Sequence, residues 1–336
     1  MNIKIGLFYI LFFSNLGFLK SQNCQEKIES ASKMIDNGQF NESIQAVRNC
    51  AGIGNSERWQ ALRITSIAYI LLNNPDSAKV YAKKMLNLNP LYQPNVLKDP
   101  KVFILMIHQI NIIPKFTLGL AFTIGGNITI PEVTGSYIPA EYTKKYKNGS
   151  SYQMGLLAAY NINNKLAIEA NIIANSKTYE MSYTLSTLNI GIKESFRSLD
   201  IPLMLRYTFR PNKRFRYYVK AGGYSSILLN SFNDFSRTNS ANSESLQYAR
   251  FNSSARRNTL QWGVVAGTGI VYKVKQGHIH FDVSYYHGLT NITKGAVRYD
   301  YLNLLYDMYY LDDDIKLRNI AFSIGYNYYI NYKTVK

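Results

Sequence analysis

From about Pro114 onward, apolar and polar residues alternate with period two in eight stretches. They run roughly Lys115–Gly125, Tyr152–Tyr160, Leu166–Tyr179, Ser198–Phe209, Phe215–Leu228, Thr259–Tyr272, His278–Gly288 and Leu317–Tyr329. Strict alternation marks a strand with two unlike faces. In the third stretch Leu166, Ile168, Ala170, Ile172 and Ala174 share one face, while Ala167, Glu169, Asn171, Ile173 and Asn175 share the other. The seventh sets Ile279, Phe281, Val283 and Tyr285 against His280, Asp282, Ser284 and Tyr286. The gaps have their own rhythm. Gly126–Ser151, Glu180–Arg197, Leu229–Asn258 and Leu289–Lys316 are long, whereas Asn161–Lys165, Arg210–Arg214 and Lys273–Gly277 are tight. A sandwich of two sheets has no reason to keep every long connection on one side. An up-and-down barrel in an outer membrane does, with short periplasmic turns and long external loops. The pattern therefore predicts an eight-stranded antiparallel transmembrane β-barrel over residues 114–336.

Before Pro114 the period changes to that of helices. Ile28, Ala31, Met34 and Ile35 form one stripe, interrupted at Gly38-Gln39-Phe40 and resumed by Ile44 and Val47. Trp59, Leu62, Ile67 and Tyr69 form the next, followed by a break at Asn73-Asn74-Pro75 and then Ala78, Tyr81, Ala82 and Met85. Pro75 can open a helix because its missing N–H would be unpaired there anyway. Asp99 and Pro100 read as the N-cap and first position of a further short helix. These helix–turn–helix units of about 34 residues resemble tetratricopeptide repeats, in degenerate form, with Asn73-Asn74 where that family prefers Gly. The fold class is thus an α + β membrane protein, with an N-terminal helical, tetratricopeptide-like domain over 22–113 and the barrel after it. Residues 1–21 read as an export signal: Lys4, an apolar run and then a polar segment. An even strand number returns both barrel ends to the side of the tight turns, which assigns the helical domain to the periplasm.

Composition sharpens the picture in three places. The 28 Tyr supply aromatic belts. Tyr160, Tyr207, Phe209, Tyr217, Tyr272, Tyr326 and Tyr328 fall beside the tight turns, and Tyr179, Tyr183, Tyr224 and Tyr285 are candidates for the opposite rim. Charged residues on inward parity, Glu169, Asp200, Arg206, Lys220, His280 and Asp282, form a candidate lumen network, since an eight-stranded interior is only wide enough for side chains. Cys24 and Cys50 are a candidate disulfide, with two buried thiols as the alternative.

Net charge is +17, and residues 114–336 hold 26 Lys and Arg against 14 Asp and Glu. For an exported barrel this points to phosphate groups of outer-membrane lipid as partners and not to nucleic acid. The last long gap holds Tyr299, Tyr301, Tyr306, Tyr309 and Tyr310 beside Asp312, Asp313 and Asp314. It is a candidate external contact loop for an extracellular ligand, or else a lid over the barrel mouth. No catalytic, cofactor or metal-ligand spacing is found; Ser284 and His287 have opposite parity and are poorly placed to share a proton. The reading is a non-enzymatic anchor whose helical domain binds a periplasmic protein. The alternatives are a surface barrel binding host, matrix or glycan, then a narrow channel or an enzyme acting on lipid A.

The segment Leu199-Asp200-Ile201-Pro202-Leu203-Met204-Leu205-Arg206-Tyr207, followed by Tyr217-Tyr218-Val219-Lys220-Ala221-Gly222, resembles the mid-barrel signature of PorT-like outer-membrane β-barrel proteins of Bacteroidota. The resemblance extends over about 220 residues by layout more than identity. It implies an outer-membrane barrel without catalytic residues, in a family whose founding member is associated with type IX secretion. The added helical domain and the six residues after Ile330 depart from that family's plain pattern.

Overall fold

The computed structural model describes residues 24–52, 54–122, 127–137, 144–211, 213–242, 244–300 and 302–335. The export signal read at residues 1–21, and Tyr301, lie outside the described residues. The chain forms two compact units, one of helices (residues up to 115, with 331–336) and one of strands (116–330).

The helical unit contains α1 (residues 24–36), α2 (Phe40–Val47), α3 (Asn55–Leu71), α4 (Pro75–Leu88) and α5 (Lys101–Gln109). Both helix breaks use the same device. After α1, Gly38 takes φ +78, its N–H donates to the Ile35 carbonyl, and the Gln39 N–H donates to Met34. After α3, Asn73 takes φ +57, donating to Ile70, while Asn74 donates to Tyr69. These are paired Schellman closures. Asn is one of the few residues with a side chain that tolerates the left-handed region, so Asn73 does the work of Gly38. Asn74 then caps α4 by accepting from the Ser77 N–H at 3.1 Å. Two apolar clusters fill the unit. One joins Ile28, Ala31 and Val47 to Ala61 and Ile64 around the bonded Cys24–Cys50 pair, whose Cα atoms are 5.6 Å apart. The other packs Leu62, Ile67, Met85 and Leu86 on Phe103 and Ile107.

Asp99 does not cap α5. Its side chain is fully buried and accepts from the Tyr92 hydroxyl at 2.6 Å and the Asn95 N–H at 2.7 Å, and also pairs with Arg63. The half-buried Arg63 guanidinium outcompetes the α5 amides because a charged partner makes a stronger hydrogen bond. Burial, and then the bond to Asp99, push the Tyr92 phenol up to about 12.

Among the described residues eleven strands form one large antiparallel sheet: β1 (Asn111–Phe122), β2 (Asn127–Gly135), β3 (Lys144–Ser151), β4 (Gln153–Asn161), β5 (Leu166–Leu185), β6 (Leu188–Phe209), β7 (Phe215–Asn239), β8 (Ser245–Asn252), β9 (Leu260–Val274), β10 (Gly277–Gly288) and β11 (Asp314–Val335). β1 pairs with β4, then the order runs β4–β5–β6–β7–β9–β10–β11, and β11 also pairs with β1. At Gly119 an added Cβ would lie 2.8 Å from the Tyr326 carbonyl oxygen, so β1 and β11 abut closely there. β2 and β3 continue β1 and β4 upward, pairing with β11 and β5 respectively. Pro114 lies inside β1, not before it, just ahead of the register that starts at Phe116 and Tyr160.

The strands are longer than the eight alternating stretches. Three of the gaps expected to be long loops are largely strand. β5 and β6 run on through 180–197 to a turn at Ser186-Thr187, β7 runs on to Asn239 and returns as β8, and the first gap becomes β2 and β3. The reason is an inversion of faces. In β6 the buried positions Ser198, Asp200, Pro202, Met204 and Arg206 alternate with outward Ile201, Leu203, Leu205 and Tyr207. Above them the buried positions become Ile190, Ile192 and Phe196, alternating with Asn189, Lys193 and Arg197 outside. β5 inverts between Asn175 and Tyr179, and β11 between Leu317 and Asn319. A register shift between Arg197 and Ser198, against β7, sits at the changeover. Reading one hydrophobic face through to the end stops at the inversion, although the chain stays extended.

Replacing Asn73 by Ala should cost the helical unit about 1 kcal/mol, and by Gly almost nothing, because only the left-handed backbone is at stake. Replacing both cysteines by Ser should cost roughly 3 kcal/mol, the loop-closure value for a crosslink of this span. Thermal unfolding followed by the helical circular-dichroism signal checks both.

Candidate functional site

In the lower part of the sheet unit, the polar face is buried and the apolar face exposed. Leu203 is 60% and Ile172 52% exposed, while Glu169 is 1% and Asp282 3% exposed. Phe116, Tyr160, Tyr207, Phe209, Tyr217, Tyr272, Tyr326 and Tyr328 are all exposed at the end with the tight turns. On the opposite rim only Tyr285 of the four candidates is exposed. Tyr179, Tyr183 and Tyr224 point inward, because their parity belongs to the buried face of β5 and β7, and Trp262 is exposed on β9 near that rim.

Glu169, Arg206, Lys220, His280 and Asp282 meet in one buried cluster. Arg206 Nη1 lies 3.2 Å from Glu169, and Lys220 Nζ lies 3.0 Å from Asp282 and 3.9 Å from Glu169. His280 Nε2 is 3.8 Å from Asp282. Asp200 is not part of it. Six residues along β6 from Arg206 is roughly 20 Å, and Asp200 instead pairs with Lys177 at 2.8 Å while accepting from Asn175 and Ser198 at 2.9 Å. Lys177 has the same parity as Glu169 and Asn175, so the signal for it was present in the alternation. Three buried cations thus face three buried carboxylates. Desolvated charges persist only when paired in this way. The hollow beside Lys220, Asp282 and Ser284 holds about 20 Å³, the room of one water.

Ser284 donates to Asp282 at 2.9 Å, and His280 lies on the other side of that carboxylate. A hydrolytic triad needs the imidazole between hydroxyl and acid; here the acid is in the middle. His287 is instead near Tyr285. Among the described residues no group of His, Cys, Asp and Glu is arranged to hold a metal.

Above the inversion, the sheet encloses an apolar core closed by the segment between β10 and β11. Its helix α6 (Leu302–Met308) buries Leu304 and Met308 against Met181, Tyr183, Ile190, Ile192 and Phe235. Tyr183 donates to the Tyr309 carbonyl at 2.8 Å. Tyr310, Asp312 and Asp313, read from sequence as external contacts, are buried. Asp312 accepts from Arg257 at 2.8 Å and from Tyr310 at 2.7 Å and pairs with Arg256; Arg257 also grips Glu194 at 2.6 and 2.8 Å. Asp313 takes Lys144 and the Tyr146 hydroxyl, both at 2.6 Å, and Asp314 takes Arg298 and the Tyr137 hydroxyl. Local sequence shows an acidic run but not the cations brought to it from β3 and from the segment after β8. Tyr299, Tyr306 and Tyr309 remain exposed.

Burial pushes the Asp312 carboxyl up, but Arg257 and Arg256 outweigh it and hold the group below the ordinary 3.8. A depressed folded value contributes stability that is present above the unfolded value and lost as pH falls through the folded one. The segment between β10 and β11 should therefore stay protease-resistant at neutral pH and loosen only below about pH 4. Glu194→Gln should destabilise it by about 3 kcal/mol, since Arg257 loses a buried charge partner. Glu180→Gln, outward on β5, should stay within about 0.5 kcal/mol. Limited proteolysis of the folded protein reads both.

No curated protein matches the sequence. Among solved structures, Neisserial surface protein A is similar at 11% identity, covering 66% of this chain and 99% of that chain, with a TM-score of 0.33. Outer membrane protein OprG from Pseudomonas aeruginosa is similar at 12% identity, covering 65% and 97%, with a TM-score of 0.33. E. coli outer membrane protein W reaches 17% identity over 64% and 98%, with a TM-score of 0.31. These likenesses are too distant to carry a functional argument. The sequence family described as outer membrane protein beta-barrel domain matches residues 111–294, more than half of the chain. With its buried polar face and exposed apolar belt, the chain belongs to the outer membrane protein β-barrel domain family.

Proposed function

We propose that this protein is a sealed outer-membrane anchor for a periplasmic interaction domain, an adaptor or assembly component of an envelope or secretion complex. The observation that carries the anchor is the inverted lower belt. Leu118, Leu156, Ile172, Leu203, Val219, Val264, Phe281 and Ile324 all face outward, and so extended an apolar surface is stable only in lipid. Each strand in the series β1, β4, β5, β6, β7, β9, β10 and β11 has two neighbours within it, which supports closure into an eight-stranded transmembrane barrel. A closed barrel also leaves no unpaired backbone in hydrocarbon. Eight strands would return both ends to the side of the tight turns, so the helical unit is read as periplasmic. The resemblance to PorT-like proteins is in keeping with an envelope role, and the tetratricopeptide-like helix pairs with a protein-binding one.

The paired charges below and the apolar core above argue against conduction. The second reading, a surface barrel that binds host, matrix or glycan, is favoured by exposed Tyr299, Tyr306 and Tyr309 on the outer segment.

Purified protein in planar bilayers should give no single-channel conductance. Steady ion current from the wild type would overturn the sealed anchor. Affinity purification from the native membrane, with and without residues 22–113, should lose a specific periplasmic partner with the deletion. Identical partner sets from both would favour the surface reading.

A further inference from the structure

Along α2, α3 and α4 the helical unit leaves an open trough. It consists of two adjoining hollows, of about 420 and 390 Å³, that share Leu62 and Tyr81. Tyr69 and Tyr81 stack in its wall with ring centroids 5.3 Å apart, and neither is fully buried. Arg48, Arg58 and Lys84 line it, all three exposed, with Lys84 Nζ 5.1 Å from the centre of the Tyr81 ring. None of the unit's described carboxylates lines either hollow. Arg63, one α-helical turn and a half further along α3, shows the contrast: it is held by Asp99.

An apolar, aromatic floor beneath a rim of one sign selects for a ligand with matching halves. Aromatic side chains with polar tips are favoured where one end is covered and the other wet. A single-sign rim is complementary to the opposite charge and repels its own. We propose that this trough binds an extended acidic segment of a partner protein, seating an apolar side chain against Tyr69 and Tyr81 and carboxylates over Arg48, Arg58 and Lys84. This rests on the reading of the helical unit as an interaction domain and names the chemistry of its partner.

The test uses full-length, disulfide-intact protein in detergent micelles and three short fluorescein-labelled peptides with identical leucine spacing. Glutamates occupy the remaining positions in one, glutamines in the second and lysines in the third. By fluorescence anisotropy, only the glutamate peptide should bind, with affinity falling as salt rises. The triple variant Arg48→Glu, Arg58→Glu, Lys84→Glu should weaken it at least about tenfold. If that variant loses its helical circular-dichroism signal, Lys84→Glu alone should still weaken binding several-fold. Equal binding of all three peptides would overturn the acidic assignment while leaving an interaction domain. Glutamate-peptide binding that survives the substitutions would put the site elsewhere and overturn the proposal. If no peptide binds, the proposal fails; a partner that is still lost with residues 22–113 would then leave the broader reading standing.

Discussion

A pleated strand sends successive side chains to opposite faces, and in this protein the two faces exchange chemistry partway up. Everything else in the sheet unit depends on where that exchange occurs. Below it, Ile201, Leu203 and Leu205 face out and Asp200 and Arg206 face in; above it, Lys193 and Arg197 face out and Ile192 and Phe196 face in. The backbone need not change, because ladder hydrogen bonds satisfy it on either side of the boundary. What changes is the solvent that each outward face suits, hydrocarbon below and water above.

That boundary divides the interior into two kinds of filling. The lower one is ionic, and its three carboxylates each have a cation within reach. The upper one is an ordinary apolar core with an ionic seam, in which Arg256 and Arg257 clamp Glu194 and Asp312. Both fillings are costly to open, the first because unpaired charges would be left desolvated and the second because packed apolar surface would meet water. The interior is thus filled by two unlike means, paired charges below and apolar packing above. The helical unit reaches order by different means: a short bonded span at Cys24–Cys50, two equivalent left-handed closures at Gly38 and Asn73, and the Arg63–Asp99–Tyr92 cluster.

Much of this was legible in the chain because period two and period 3.6 are local properties. Parity alone puts Glu169, Asp200, Arg206, Lys220, His280 and Asp282 on inward faces, and the helix breaks show in Gly38 and Asn73. Parity also contained Lys177, which lies within the third alternating stretch on the same face as Glu169 and Asn175. Tyr179, Tyr183 and Tyr224 suit a rim by residue type, but their parity is that of the buried face. Asp99 before Pro100 carries the local signal of a cap, but its partners, Arg63 and Tyr92, lie on other segments.

The sequence by itself determined which residues share a face, where helices yield to strands, and that an outward apolar belt calls for lipid. These follow from the geometry of a single segment. Only the tertiary structure decided which charges meet, that Asp200 takes Lys177 and not Arg206, and that Asp312, Asp313 and Asp314 diverge to separate cations instead of lining one surface. Partner choice depends on register between strands and on segments folded back over them. Register is a property of two chain segments at once, and no single stretch of sequence carries it.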